Sequence, residues 1–312
     1  MIYTGGINDI TTKKDVVLAI GNFDGVHLGH KKIIEKCVNV AKEFGVRSGV
    51  LTFDPHPSTL IPSDLKKKKL IYPYSEKLSK LSDLGVDDIF VLKFDDAVKN
   101  LLPEQFIQNL LIKRFGIRGL VVGYNFYFGK NKSGDSKSLI LFGKEYNFYC
   151  EIIEKYIFDN IDISSSKIRQ LLSLGMITEA NKLLGENYSI SGIVQHGKRL
   201  AREFGIKTAN VNLDPDNYTY PLYGVYLVQI TCQNKKYFGV GNIGVKPTFK
   251  DIKRAVLEVN IFEFDEDIYN QEIKVELLRF IRPERRFDNI EQLVTQIKKD
   301  INDAHYVLKN MD

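Results

Sequence analysis

The stretch Ala19–His30, AIGNFDGVHLGH, constrains this chain more than any other, because it has to join a strand to a helix. The residues before it, Asp15–Ile20 (DVVLAI), predict a buried strand. After it, KKIIEKCVNVAKEFG sets Ile33, Ile34, Cys37, Val38 and Ala41 on one helical face. Gly21, Gly25 and Gly29 permit sharp turns and close approach of backbone to a ligand. A helix starting here aims free N–H groups and the positive end of its dipole past the strand end, which favours a phosphate. His27 and His30 lie at that end. Their imidazoles can donate to phosphate oxygens and stabilise charge as a phosphoryl bond breaks. The same pair also suits zinc, with Asp24 or His56 as a third ligand, and would then serve a metal-dependent hydrolase. The glycine between the histidines favours the anion.

The rest of the first half alternates strands (Arg47–Phe53, Asp88–Lys93, Gly119–Gly123, Phe148–Ile153) with helices (Ser75–Leu84, and Pro103 towards Phe115). Such alternation predicts a mostly parallel sheet with ligands at the carboxyl ends of its strands. Three loops follow strand ends. One is the glycine-rich joint, the second is DPHPS with His56 in a proline-fixed turn, and the third is GYNFYFG with Asn125. The polar segment Gly129–Leu139 is expected to be a mobile loop, and the Lys66–Lys69 run a solvated one. In ISSSKIRQLLSLGMI, Ser164 or Ser165 caps a helix whose apolar face holds Ile168, Leu171 and Leu172, and Gly185–Asn187 links the two halves.

The second half changes character. Tyr188–Val194, Thr208–Leu213, Gly224–Ile230, Tyr237–Val240, Ala255–Phe262 and Glu272–Phe280 are short β-rich runs, and Asn289–Lys309 is an amphipathic helix. They predict an antiparallel barrel or sandwich with a terminal helix. Gly239–Gly244, GVGNIG, fits a dinucleotide fingerprint, but VKPTFKD follows it without a helical pattern, so a nicotinamide site is rejected. No GxxxxGK[ST] segment occurs. At 312 residues the chain suits two domains, and a net charge of +5 falls short of a nucleic-acid footprint. Three widely spaced cysteines and the lack of a long apolar run point to a cytoplasmic protein without a membrane partner.

GNFDGVHLGH resembles the FMN adenylyltransferase half of the bacterial bifunctional riboflavin kinase/FAD synthetases, within the HxGH nucleotidyltransferases. TFDPHP, GYNFYFG and ISSSKIRQLL resemble further elements of that half, with Ser166 at a usual threonine. GIVQHGKRLAREFGIKTANV, GVGNIGVKPTF, AVLEVNIF and IRPERRFDNIEQLVTQIKKD resemble the riboflavin kinase half, in order, so the likeness spans nearly the whole chain. It implies an α/β nucleotidyltransferase domain (Rossmann-like, mostly parallel sheet) over 1–186 and an antiparallel β-barrel kinase domain with a terminal helix over 187–312. It implies phosphorylation of riboflavin to FMN by ATP, then adenylylation of FMN to FAD. By the same resemblance, His27 and His30 are catalytic in the first domain and Glu258 is the base in the second. Gly21, Phe23, Asp24, Gly25, His56, Asn125, Ser164, Ser165 and Arg169 bind nucleotide or flavin in the first. Gly197 and Arg202 bind nucleotide in the second, where Thr208 and Asn210 hold Mg²⁺. Riboflavin, FMN and ATP are the expected partners. The chain departs from the kinase pattern at Lys207, where the family has proline, and at Ala201, where it has glycine. A monofunctional adenylyltransferase, or a non-catalytic flavin- or nucleotide-binding regulator, are the alternatives.

Overall fold

The computed structural model describes residues 1–10, 15–57, 69–196, 207–247 and 253–311. Lys66–Lys68, Gly197, Ala201 and Arg202, singled out from the sequence, lie outside the described residues. The chain divides into two compact units, Met1–Ser165 and Ser166–Asp312.

In the first unit, β1 (Ile2–Gly5), β2 (Val16–Ile20), β3 (Arg47–Asp54), β4 (Asp88–Lys93), β5 (Ile117–Gly123) and β6 (Tyr149–Ile153) form one sheet of order β1-β4-β3-β2-β5-β6. Every pairing is parallel. β2 is buried at all five positions because both faces of the sheet are covered. Val16, Leu18 and Ile20 enter one core cluster, and Val17 and Ala19 enter the cluster on the other face. From β2 the chain steps to β3 on one side, while β5 flanks β2 on the other. The crevice at the carboxyl ends of β2 and β5 is therefore the topological switch point, where such sheets bind ligands.

Helix α1 (Leu28–Phe44) buries Ile33, Ile34, Cys37, Val40 and Ala41 and ends at Gly45 in the left-handed conformation. Val40 thus takes the buried place that the spacing gave to Val38, which is half-buried. Helix α2 (Tyr74–Ser82) precedes β4. The stretch from Pro103 is helical, but Phe106–Ile112 winds as a π-helix. Part of the segment expected to be a mobile loop is helix α3 (Ser136–Glu145), because Asp135 and Ser138 form a reciprocal cap. β1 has no counterpart in the sequence reading. It is short and mostly exposed, and it is held by pairing with β4 and by Tyr3 stacking on Phe90 at 5.2 Å. A small hairpin, β7 (Ile157–Phe158) with β8 (Ile161–Asp162), closes the unit.

The second unit takes in most of helix α4 (Ser165–Ser173) and all of α5 (Ile177–Leu184), followed by β9 (Ser189–Ile193), β10 (Ala209–Asn212), β11 (Gly224–Cys232), β12 (Lys235–Pro247), β13 (Lys253–Ile261) and β14 (Glu272–Pro283). Its antiparallel order is β10-β13-β12-β11-β14-β9. A bridge in which the Gln195 N–H donates to the Asn210 carbonyl at 2.8 Å brings the two edges together as a barrel. β12 runs straight through GVGNIG, so the strand is far longer than Tyr237–Val240. A Cβ at Gly239 would lie 2.3 Å from the Asn260 carbonyl oxygen, and one at Gly244 would lie 2.2 Å from Glu284 Oε1. These glycines serve close approach inside a barrel.

Helix α6 (Ile290–Lys309), capped by Asn289, buries Ala304 in a cluster with Val225, Leu227 and Val240. It is fastened to β14 by Arg282, whose Nε and Nη2 each donate to the buried Asp300 carboxylate at 2.7 Å. Gln296 adds a third donor at 2.8 Å. Breaking a buried bidentate pair from one side leaves the other charge uncompensated. Asp300→Ala is expected to cost about 3 kcal/mol in urea unfolding, at the lower end of that range because Arg282 is partly exposed. A midpoint within error of the parent would show that the pair does not hold the helix.

Candidate functional site

His27 is the N-cap of α1. Its Nδ1 accepts the backbone N–H of His30 at 3.3 Å. An acceptor Nδ1 places the imidazole proton on Nε2. The two rings stack with centroids 3.5 Å apart and 17° between planes. Gly29 makes this possible, since a Cβ there would sit 3.3 Å from both Cε1 and Nδ1 of His27. The glycine expected to admit an anion also makes room for a ring.

The loop before the cap is strained. Phe23 and Val26, neither a glycine, hold φ of 50° and 42°, and Gly25 holds 88°. The Phe23 ring is wholly buried, tucked under Gly21 and edge-on to His30 at 5.4 Å, so it supports the histidine from behind. Asp24 is buried as well. Its Oδ1 accepts the Ile71 N–H at 2.9 Å, and its carbonyl accepts the Ser165 hydroxyl at 2.8 Å. Ser165, the first residue of α4, is thus tied to the glycine-rich loop. Ser164 precedes it, half-buried, and Arg169 lies four residues further along the same helix, in the second unit.

His56 is buried beyond the end of β3, after a cis Asp54–Pro55 bond, and Asn125 is exposed beyond the end of β5. The loops carrying His27, His56 and Asn125 therefore all leave carboxyl ends of the same sheet. Burial, then the neighbouring His27, then Lys77 hold the His30 pKa well below the ordinary imidazole value, so the ring is neutral at pH 7. Its Nδ1 is buried without a hydrogen-bond partner among the described residues. Lys77 was not singled out from the sequence. Its ammonium is buried and donates to Thr52 Oγ1 at 3.2 Å and to the Asn22 carbonyl at 3.5 Å. The YSEKLSKL pattern points its leucines inward and gives no hint that Lys77 follows them. No three His, Cys, Asp or Glu side chains group as metal donors among the described residues, so the zinc alternative gains no third ligand there.

In the second unit the register does the positioning. Asn210 on β10 is directly opposite Glu258 on β13, and Glu258 is opposite Asn242 on β12. Opposed residues share a face, so the three side chains form one polar row across three strands. Their apolar neighbours Val211, Leu257 and Ile243 form the adjacent row, buried on the other face. Asn242 was not singled out either; it is the asparagine of GVGNIG, whose glycines drew attention away from it. Thr208, two residues before Asn210, is half-buried, and the Asn210 amide donates to its carbonyl at 3.4 Å. Thr208, Asn210 and Glu258 offer oxygen donors of the kind a hard divalent cation takes.

Two family models match the chain, FAD synthetase over residues 9–167 and riboflavin kinase over 184–308. The chain is 40% identical to the bifunctional riboflavin kinase/FMN adenylyltransferase of Bacillus subtilis, over 95% of this chain and 93% of that protein. It is 35% identical to the enzyme of the same name from Escherichia coli K12, over 95% and 94%. A solved Streptococcus pneumoniae structure described as a macrolide-efflux protein is 31% identical, with a TM-score of 0.87 over 100% of this chain and 99% of that one. Among the described residues no helix is long and apolar enough to cross a membrane.

Gly29→Ala tests the cap. The new methyl pushes the His27 ring away from the helix, losing about 1 kcal/mol of capping. Replacing glycine by alanine inside a helix returns roughly 0.5–1 kcal/mol. Stability is therefore expected to change little, while nitrogen NMR shows the His27 tautomer losing its bias towards Nε2–H. An unaltered tautomer signature would mean that the ring does not depend on the glycine.

Proposed function

We propose a residue-level division of labour for a chain that belongs to the bifunctional riboflavin kinase/FMN adenylyltransferase family. The chain is an enzyme of flavin cofactor biosynthesis: it phosphorylates riboflavin with ATP to give FMN, and it adenylylates FMN to FAD with release of pyrophosphate. The observation that carries this is the pair of family models, which between them cover nearly all of the chain, each with its own constellation of polar side chains.

We assign the adenylyl transfer to residues 1–186. An FMN phosphate oxygen attacks the α-phosphorus of ATP, the bond from that phosphorus to the bridging oxygen breaks, and pyrophosphate leaves. Charge grows on the α-phosphate and on the leaving group. The start of α1, with free N–H groups and the positive dipole end, favours that charge. His27, with its proton on Nε2, is a fixed donor towards it, and His30 is the second imidazole. Gly21, Asp24 and Gly25 shape the loop, with Phe23 behind it. His56, Asn125, Ser164, Ser165 and Arg169 complete the nucleotide and flavin contacts, the arginine as a permanent cation. The loops at the switch point and the unpartnered His30 Nδ1 support this reading.

We assign the kinase step to residues 187–312. The riboflavin 5′-hydroxyl attacks the γ-phosphorus of ATP, Glu258 takes the hydroxyl proton, the bond from that phosphorus to the β–γ bridging oxygen breaks, and ADP leaves. Thr208 and Asn210 would hold Mg²⁺, which when bound neutralises phosphate charge. Gly197 and Arg202 are the further nucleotide contacts. Positioning and charge neutralisation are what phosphoryl transfer needs most, so a short polar row suffices. Cys37, Cys150 and Cys232 are free thiols, which supports a cytoplasmic location.

Two variants separate the sites. His30→Ala is expected to lower FAD formation from supplied FMN by roughly 10²–10³ while FMN formation from riboflavin stays near the parent rate. Glu258→Gln is expected to do the reverse, lowering FMN formation by on the order of 10²–10⁴ with adenylylation of supplied FMN intact. Chromatography of riboflavin, FMN and FAD after incubation with ATP and Mg²⁺ reads both. Parallel loss of both activities in either folded variant contradicts the division.

A further inference from the structure

A lysine rarely goes into a protein interior without a carboxylate, because burying an unpaired ammonium is costly. Lys77 does so. Its side chain is 8% exposed, and no carboxylate lies within ion-pair distance among the described residues. Its hydrogen bonds go to neutral acceptors, the Asn22 carbonyl and Thr52 Oγ1, and the Tyr74 ring lies 5.3 Å away. Thr52 Oγ1 also donates to the Asn22 carbonyl at 3.3 Å, which closes a triangle between α2, β3 and the loop that follows β2. Asn22 is the residue before the left-handed Phe23, and the Phe23 ring backs His30. The triangle therefore holds the root of the loop that presents both imidazoles.

We propose that Lys77 is a positioning residue of adenylyl transfer, its buried ammonium fixing the Asn22 carbonyl against the end of β3 and setting the field in which His27 and His30 meet the triphosphate. This rests on the assignment of adenylyl transfer to the His27–His30 site. The charged and titratable groups around Lys77 are Asp24 from the loop after β2, Asp54 at the end of β3, and His30 with its neighbour His27 on α1. Burial lowers the Lys77 pKa to about 8 against the pull of Asp24 and Asp54. The ammonium is thus mostly protonated at pH 7, and its charge adds to the burial that keeps His30 neutral.

The test uses the full chain and compares the parent with Lys77→Met, Lys77→Arg, Thr52→Val and His30→Ala. Methionine keeps the stem and removes charge and donors. Because a buried charge is replaced by an apolar chain of similar size, its melting temperature is expected to match or exceed the parent's. Its kcat for FAD formation from FMN is expected to fall by about 10- to 100-fold, the loss typical of a misplaced reacting group, with KM for ATP within a few-fold. Riboflavin phosphorylation is expected to be unchanged. The His30 imidazole titration, followed by NMR and assigned by its loss in His30→Ala, is expected to move to higher pH. Lys77→Arg is expected to return that titration to the parent position. Thr52→Val keeps the charge and loosens the triangle, so kcat falls and the titration stays. Parent-like kcat in Lys77→Met, or a fall in kcat with an unmoved His30 titration, overturns the proposal. If Lys77→Met does not fold, parent-like kcat in Thr52→Val overturns it. If His30→Ala makes FAD at the parent rate, the assignment of the site fails, whatever Lys77 does.

Discussion

The hydrogen bond from the His30 backbone N–H to Nδ1 of His27 does two things at once. It satisfies one of the free donors at the start of α1, and it fixes which nitrogen of His27 carries the proton. A serine or aspartate would cap the helix as well, but it would leave no imidazole N–H at the helix end. The geometry then imposes its own requirements. The ring lies against the first turn, so a Cβ at position 29 would crowd it at 3.3 Å. The chain must arrive at the cap from β2 within six residues, so Phe23 and Val26 accept positive φ. Such strain persists only where neighbours over-determine it. Here they do, through Ile71 on the Asp24 carboxylate, Ser165 on the Asp24 carbonyl, and Thr52 with Lys77 on the Asn22 carbonyl.

The two units place polar groups by different means. In the first, the loops that carry His27, His56 and Asn125 all leave the carboxyl ends of one parallel sheet, and His27 follows a strained turn and caps a helix. In the second, the strand register alone sets Asn210, Glu258 and Asn242 side by side, since opposed residues on antiparallel strands share a face. A slip of one residue between β10 and β13 would turn Asn210 away from Glu258 and drive one of them into the apolar row. The burial of Val211, Leu257, Val259 and Ile243 on the other face specifies against that slip. The hydrophobic core thus holds the polar row in register without touching it.

Elements with strong local signals were legible in the sequence. DVVLAI, the amphipathic α1 and the long terminal helix were visible from periodicity, and the helix start at His27 from its glycines and histidines. Elements that depend on partners were not. β1 is mostly exposed and acquires its strand character from β4 and Phe90. The π-helical turn at Phe106–Ile112 follows a proline start that reads as ordinary helix. The reciprocal cap at Asp135 and Ser138 hides in a polar stretch that also reads as loop. At the candidate sites, the sequence drew attention to residues in recognisable motifs and passed over Lys77 and Asn242. Lys77 lies on a helix whose leucines dominate the pattern, and its burial arises from tertiary packing. Asn242 belongs to a row that exists only once three strands are in register.

Lys207 shows how a departure from a family pattern is absorbed. Proline at this position would hold the backbone entering β10 through its fixed φ. In this chain the Lys207 carbonyl instead accepts a hydrogen bond from the Asn260 side chain at 2.8 Å, and Asn260 belongs to β13, the strand that also carries Glu258. The ammonium of Lys207 pairs with Asp265, which keeps that carboxyl below its usual range. An exposed ion pair adds little stability, so the tie to β13 rests on the hydrogen bond. The contacts fasten Lys207 to the same strand as the proposed base and match its cation with a carboxylate. Thr208 and Asn210 therefore follow a pinned residue, and Asn210 meets Glu258 through the register of two strands tied together at both Asn210 and Lys207.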